Sequence, residues 1–174
     1  MKSIKKIGLF LTAGLFCLNA MAQTSNDIVD VAAGSAEHTT LVAAVKAADL
    51  VATLKSKGPF TVFAPTNAAF EKLPAGTVAS LLKPENKAAL AGILTYHVVP
   101  GNLDAKAVLS AIKKGKGKAV VTTVAGGKLT ASVENGKVLL TDEKGAKATV
   151  TATDLKASNG VIHVIDAVLF PAAK

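Results

Sequence analysis

The 174-residue sequence contains no arginine and no tryptophan, and all 20 of its positively charged residues are lysines. Aromatic residues make up only 4% of the chain. Proteins that read or stack on nucleic acids usually rely on guanidinium groups and aromatic rings. We therefore expect no nucleic-acid partner.

The sequence also has only one cysteine, Cys17, which lies in an N-terminal segment typical of export. Residues 1–6 are basic, residues 7–18 are apolar, and small residues precede a cleavage site at Ala22. This pattern predicts a secretory signal peptide over residues 1–22 that is cleaved after Ala22. The apolar run is shorter than the roughly 20 residues of a membrane span, which disfavours the alternative of an uncleaved anchor. We expect a secreted or periplasmic protein with no membrane span after cleavage.

Residues 23–174 are enough for one domain with its own apolar core, and we expect a single domain over this range. Removal of the signal peptide leaves 17 lysines against 12 acids. The densest cluster of charge, Lys113–Lys118, fits a solvated loop, because glycines interrupt it and apolar residues are missing from it. Contact with an anionic polysaccharide or a lipid headgroup is the alternative interpretation.

Helical signals dominate the first half of this domain. Apolar residues recur at helical spacing in four segments, residues 27–33, 39–54, 77–82 and 84–94. Between them, the aromatic and β-branched run Phe60–Phe63 is flanked by prolines, which predicts a short strand. Thr66 is placed to cap the helix that follows this strand. The run Tyr96–Val99 predicts a second strand.

From Ala119 onward the pattern changes to the alternation of β-strands. Asn135-Gly136 predicts a two-residue hairpin turn. In that register Glu134 faces Lys137 and Val133 faces Val138, so a charge pair and an apolar pair agree on one pairing. Helices followed by strands, with one strand arising early, indicate an α+β domain. In it, helices pack against a twisted, mostly antiparallel sheet.

Three segments resemble the signature motifs of the fasciclin domain family, in the family's order. Residues 61–70 resemble its first box, Tyr96–Gly101 its central tyrosine-histidine motif, and Asn159–Asp166 its second box. The resemblance implies a β-sandwich-like wedge with a helical side, used as an extracellular adhesion or interaction module. Together with the signal peptide, it implies a small secreted bacterial member with one such domain. Its partner would be a cell-surface or matrix protein or polysaccharide.

The sequence shows no pattern typical of a catalytic or metal-binding site. His97 and His163 lie among apolar residues, where we expect buried side chains that are satisfied by hydrogen bonds. The serines lack the Gly-x-Ser-x-Gly elbow, and the glycine-lysine runs lack the context of a phosphate-binding loop. We therefore predict no enzyme activity, no metal site and no cofactor.

The family resemblance implies two regions of partner contact, Tyr96-His97 and Asp154-Leu155. The second matches an Asp-Ile pair that is assigned to integrin contact in animal members, with leucine in place of isoleucine here. The alternative is structural, with Leu155 packed and Asp154 capping a turn at residues 156–158.

Carriage of a small apolar ligand, such as a lipid or a carotenoid, is a different class of function. Some algal family members bind carotenoids, and the abundant Ala, Val and Leu of this chain could line a groove. Phe60 and Phe63 lie three residues apart, so we expect them to point to opposite faces of the strand and to belong to the core.

Overall fold

The computed structural model describes residues 26–172, so the predicted signal peptide lies outside the described residues. The helices in this range are α1 Ile28–Ala33, α2 Thr39–Ala47, α3 Val51–Leu54, α4 Asn67–Glu71, α5 Thr77–Leu81, α6 Lys87–Tyr96 and α7 Ala105–Lys114. Two 3₁₀ turns, Ala36–His38 and Pro84–Asn86, lead into α2 and α6. The strands are β1 Phe60–Pro65, β2 Val98–Pro100, β3 Lys118–Thr122, β4 Lys128–Glu134, β5 Lys137–Thr141, β6 Lys147–Ala157 and β7 Gly160–Ile165.

These strands form a seven-stranded sheet in the order β2-β1-β7-β6-β5-β4-β3. β1 and β7 run parallel, and the other neighbouring strands run antiparallel. The two edges of the sheet approach each other where the Val124 amide donates a hydrogen bond of 2.8 Å to the Val98 carbonyl. The sheet is therefore a wedge that nearly closes into a barrel. With its helices it forms the α+β architecture expected from the sequence.

Two apolar cores lie on the two faces of the sheet. The helical core packs α1–α6 against residues of β1, β2 and β7 such as Val62. The second core packs α7 against β3–β6 and contains the buried side chain of Phe63. Phe60 packs at the margin of the helical core. The prediction that Phe60 and Phe63 point to opposite faces is confirmed, and β1 contributes to both cores.

Several local predictions are confirmed. Thr66 Oγ1 accepts a hydrogen bond of 3.3 Å from the Ala69 amide and so caps α4. β4 and β5 pair in the expected register, with Glu134 opposite Lys137 and Val133 opposite Val138. These features depend on neighbouring residues alone, which explains why sequence patterns find them.

One strand boundary was predicted wrongly. Tyr96 belongs to α6 and His97 is the helix C-cap, so β2 begins only at Val98. Nδ1 of His97 lies 2.8 Å from the Ile93 carbonyl, one turn earlier in the helix. This contact satisfies a carbonyl group at the end of α6. It favours a helical conformation up to Tyr96, although tyrosine is a residue type typical of strands.

Two asparagines in the signature boxes hold the helices in place, Asn67 from the start of α4 and Asn159 from the turn before β7. Asn67 Oδ1 accepts a hydrogen bond from the Thr40 amide at 3.0 Å, where α2 begins. Asn159 Oδ1 accepts one from the Ile28 amide at 3.0 Å, and its Nδ2 donates to the Leu54 carbonyl at 2.7 Å. These side chains therefore join segments of the chain that are far apart in sequence.

Candidate functional site

The two predicted contact regions lie on one row of the sheet. Leu155 on β6 pairs with Ile162 on β7. Ile162 pairs with Val62 on β1, and Val62 pairs with Val98 on β2. Tyr96 and His97 directly precede Val98. Three strand spacings separate the ends of this row, or about 14 Å. The structure thus aligns the two regions but does not bring them into contact.

Tyr96 lies wholly inside the protein, with 0% of the residue exposed. Its hydroxyl donates a hydrogen bond of 2.8 Å to the Lys128 carbonyl and accepts one of 3.3 Å from the Glu143 amide. Burial is the main cause that raises the pKa of Tyr96 to about 12. The phenol ring also packs so closely on Gly127 that a Cβ atom there would lie 2.5 Å from a ring carbon. These contacts are those of a core residue.

His97 is buried beside Tyr96, and both of its ring nitrogens have partners. A carbonyl can only accept, so Nδ1 carries the proton and donates to Ile93. Nε2 then accepts a hydrogen bond of 3.1 Å from the Leu169 amide. Burial lowers the pKa of His97 to about 4. The ring is therefore neutral near pH 7, and the prediction that His97 is buried and satisfied by hydrogen bonds is confirmed.

His163 is the third member of this buried group. Its Nε2 lies 2.6 Å from the Leu103 carbonyl, to which it donates. Nδ1 faces the Asp154 amide at 3.4 Å, and the ring stacks on Phe63 with a centroid separation of 5.7 Å. The prediction that His163 is buried and hydrogen-bonded is confirmed as well. The ring connects the α7 entry segment, strand β1 and the candidate contact pair on β6.

Asp154 and Leu155 lie at the surface, on a distorted part of β6. The pairing with β7 shifts register between Val150 and Ala152 and again between Ala152 and Leu155. Asp154 has a φ of 60°, in the left-handed region that non-glycine residues seldom adopt. Its Oδ1 accepts a hydrogen bond of 2.8 Å from the Ala105 amide at the start of α7. Leu155 is 39% exposed.

The structural alternative for this pair was wrong. Asp154 does not cap a turn at residues 156–158, because β6 continues to Ala157 and the turn follows at Ser158 and Asn159. The side chain of Asp154 reaches α7 instead. Leu155 is among the large apolar side chains left exposed. The pair is therefore a surface feature that the tertiary structure holds in an unusual backbone conformation.

His38 is the remaining histidine, and it is buried on the helical side of the domain. Its Nδ1 lies 2.8 Å from Ser35 Oγ, three residues earlier. Burial lowers the pKa of His38. Within residues 26–172, no group of three or more His, Cys, Asp or Glu side chains is arranged to hold a metal ion.

An apolar cavity lies between the helices and the sheet. Its volume is about 50 Å³, and its lining includes Ile28, Val29, Leu41, Val45, Val62 and Ile162. Engineered cavities that take up benzene measure about 150 Å³. The cavity in this conformation is therefore too small for a lipid or a carotenoid.

The lysine cluster Lys113–Lys118 is fully exposed, as expected. Only Gly115–Gly117 form the connecting loop, because Lys113 and Lys114 belong to α7 and Lys118 begins β3. Lysines in the last turn of a helix interact favourably with its negative end. Their position in the last turn of α7 is therefore a structural reason for Lys113 and Lys114.

Residues 36–171 match the Fasciclin domain family. This protein belongs to the fasciclin domain family. All three motifs found in the sequence fall within the matched range. Gly160, in the second box, pairs with Phe60 on β1. A Cβ atom on Gly160 would lie 2.0 Å from the Phe60 carbonyl oxygen, so the close approach of the two strands requires glycine at this position. The boxes form the parallel contact between β1 and β7.

Curated relatives include bacterial and animal proteins. Protein sll1483 of Synechocystis sp. is 56% identical over 152 residues, which cover 87% of this chain and 77% of that protein. The immunogenic protein MPB70 of Mycobacterium bovis is 39% identical over 155 residues, or 86% of this chain and 72% of its own length. The transforming growth factor-beta-induced protein ig-h3 of Sus scrofa is 38% identical over 84% of this chain, but only 19% of its own length is matched.

A solved structure has the same fold. The FAS1 domain pair of the insect cell adhesion molecule Fasciclin I has a TM-score of 0.60 and 22% sequence identity, with 72% of this chain and 42% of that chain covered. Within the described residues, no helix combines the length and hydropathy that a membrane span requires.

Proposed function

We propose that this protein is a secreted or periplasmic, non-catalytic adhesion module that binds a cell-surface or matrix component. The family, together with the description of Fasciclin I as a cell adhesion molecule, supports the class of function. The signal peptide predicted from the sequence supports the location. The partner surface that we propose is centred on Asp154 and Leu155.

The observation that carries this assignment is the backbone of Asp154. A left-handed conformation at a non-glycine residue costs roughly 1–3 kcal/mol, and such residues cluster at binding sites. Here the side-chain bond to the Ala105 amide and the contact with His163 hold that conformation. Asp154 and Leu155 are adjacent exposed residues on β6, beyond the part of this strand that pairs with β5. A prearranged acidic and apolar pair suits the recognition of a partner.

Tyr96 and His97 take a different part in this proposal. Their side chains are buried, so they would support the partner surface from within and would not touch the partner. Phe63 on β1 links the two histidines, because its amide donates a hydrogen bond of 2.9 Å to the His97 carbonyl and its ring stacks on His163.

The test combines gene deletion with complementation. We expect deletion to reduce attachment of the cells to a surface or the formation of a biofilm, and wild-type protein to restore it. Asp154→Asn keeps the side-chain acceptor and tolerates the left-handed backbone but removes the charge. Leu155→Thr removes the apolar group, and both variants should fail to restore attachment.

Val133→Thr serves as the matched control, because Val133 is 40% exposed on a different strand. This variant should restore attachment like the wild type. Unchanged attachment after deletion would contradict the adhesion role. Full restoration by both Asp154→Asn and Leu155→Thr would contradict the proposed surface.

The alternative of an apolar carrier has weaker support. The cavity of about 50 Å³ would have to enlarge severalfold to hold a lipid or a carotenoid. Mass spectrometry of the purified native protein tests this alternative. A copurified lipid or pigment in stoichiometric amount would support the carrier role, and its absence would count against it.

A further inference from the structure

The outward side of strands β3–β6 carries a set of residues that the proposed adhesion surface does not use. The strand registers align Lys118, Ser132, Leu139 and Thr149 as one row across the four strands. Alternate residues such as Leu129, Ala131 and Leu140 are buried on the inner side with α7. The outer sheet face therefore consists of Lys118, Val120, Thr122, Lys128, Thr130, Ser132, Glu134, Lys137, Leu139, Thr141, Lys147 and Thr149.

The outer sheet face has a net positive charge. Four of its residues are exposed lysines, and Glu134 is its one acid. Glu134 Oε1 is occupied by Lys147 Nζ at 2.9 Å. The carboxylates at the rim, Glu143 and Asp166, accept hydrogen bonds from the backbone amides of Lys128 and Thr149. Lys118 and Lys128 thus have no acid opposite them within the face, and Glu134, which lies opposite Lys137, forms its ion pair with Lys147.

Hydroxyl groups fill the space between these lysines. Thr130 and Thr141 face each other across β4 and β5. Ser132 lies in the adjacent row and is half-buried. A hydroxyl both donates and accepts hydrogen bonds, as sugar hydroxyls do. Lys118 pairs with Ser132, four residues from Lys128 along the neighbouring strand β4, so the Cα atoms of the two lysines lie about 14 Å apart. This arrangement suits an extended ligand with repeated negative charges and many hydroxyls.

We propose that the outer sheet face binds an anionic polysaccharide, with the lysines on its carboxylates or sulfates and the Thr and Ser hydroxyls on its sugar hydroxyls. Charge complementarity favours a polyanion. A membrane surface is a poorer fit, because such sites combine basic residues with a broad apolar face that inserts among the lipids. Of the apolar members here, Val120 is 61% exposed and Leu139 is half-buried two strands away. The face also lacks the aromatic platforms of single-stranded nucleic-acid sites.

The decisive experiment measures binding of the protein, expressed from the full-length gene and purified after export, to defined probes. The probes are polygalacturonate, dextran sulfate, uncharged dextran and vesicles of phosphatidylglycerol and phosphatidylcholine. We expect binding to one or both polyanions that weakens as salt increases, and none to uncharged dextran. Binding to the vesicles in preference to both polyanions would overturn the proposal, as would the absence of polyanion binding.

Matched variants locate the site. The triple variant Lys118→Gln, Lys128→Gln and Lys137→Gln removes three charges from the outer sheet face and keeps the ion pair of Lys147. The control changes the exposed lysines Lys46, Lys57 and Lys106 to Gln and so has the same net charge. We expect the first triple to lose on the order of tenfold in affinity, with less than about a twofold loss in the control. Equal losses in both would show non-specific attraction and overturn the proposal.

A second pair of substitutions tests the hydroxyls. Thr130→Val and Thr141→Val keep the side-chain shape and remove two hydrogen-bonding groups at neighbouring positions. We expect a severalfold weaker binding of polygalacturonate, and unchanged binding would overturn the hydroxyl contacts. Asp154→Asn and Leu155→Thr should bind polyanions like the wild type. This last result distinguishes the outer sheet face from the proposed adhesion surface.

Discussion

The backbone amide of Leu169 donates a hydrogen bond of 3.1 Å to Nε2 of His97, which lies 72 residues earlier in the chain. Two further amides of the same segment donate to acidic side chains, Phe170 to Asp142 Oδ2 at 3.0 Å and Ala172 to Glu143 Oε2 at 3.1 Å. The C-terminal segment is therefore held by three side chains, and His97 can accept its bond only while Nε2 carries no proton.

The first prediction concerns acid stability. The pKa of His97 falls from its ordinary value of 6.5 to about 4 on folding. Between these values the unfolded chain binds a proton that the folded protein does not, so the free energy of unfolding should decrease as pH falls through this window. The contribution of His97 is about 3 kcal/mol in total. Urea unfolding at a series of pH values measures it.

His97→Gln is the control for this experiment. The variant should be less stable at neutral pH, but it should lose less stability between pH 6.5 and 4. The change in slope tests the assignment even though the variant is destabilised. Equal pH dependence of the wild type and His97→Gln would show that His97 does not carry the effect.

The second prediction uses Tyr96 as a spectroscopic probe. It is the one tyrosine of a chain without tryptophan, so the near-ultraviolet absorbance of tyrosinate reports it alone. The pKa of Tyr96 is raised from 10.0 to about 12 in the folded protein. The contribution of the protonated phenol to the free energy of unfolding is therefore fully present below pH 10 and is lost as pH rises from 10 towards 12. An alkaline titration of the folded protein should have its midpoint near pH 12. A midpoint near 10, with the far-ultraviolet circular dichroism still native, would contradict the burial of Tyr96.

The third prediction concerns the packing of Phe63. Phe63 is 3% exposed and its ring stacks on His163. Phe63→Ala should lower the free energy of unfolding by about 3–5 kcal/mol because it leaves a cavity in the core. Phe60→Ala, at the half-buried edge of the helical core, should cost less. Binding loss in a Phe63→Ala protein of native stability would instead indicate a direct role in recognition.

The fourth prediction concerns the tether formed by Asn159. Nδ2 of Asn159 donates to the Leu54 and Ser56 carbonyls at 2.7 and 3.1 Å. Asn159→Asp would place a carboxylate against these two carbonyls, so we expect a loss of about 2–3 kcal/mol at neutral pH. Urea unfolding measures the loss, with Asn135→Asp as the control at an exposed turn where aspartate is tolerated. Similar stability of both variants would rule out the tether.

Much of the secondary structure could be predicted because its causes are local. The threonine cap of α4 and the turn at Asn135-Gly136 depend on residues within a few positions of each other. The motifs were also sufficient to predict the family. Two of them contain residues that form the parallel contact of β1 and β7. The extension of α6 to Tyr96 was not predicted, because it depends on a contact that local patterns do not contain. His97 donates to the Ile93 carbonyl at the helix end and accepts from the distant Leu169 amide.

The candidate site could be found in the sequence only in outline. The resemblance pointed to Tyr96, His97, Asp154 and Leu155, but sequence patterns do not report exposure. The structure places the first two in the core and the last two at the surface. The roles of Asn67 and Asn159 as tethers were also missed, because an asparagine beside a cap or a glycine is equally typical of a simple turn.

The sequence by itself determined the α+β class, the hairpin register and the family, because propensity, capping and alternation act between near neighbours. Only the tertiary structure decided which side chains meet the solvent. The left-handed backbone of Asp154 depends on α7 and on His163 across the strands. The lysines and hydroxyls of the outer sheet face share one surface because four strands pair in one register. Such contacts between distant residues arise from packing, which no local pattern records.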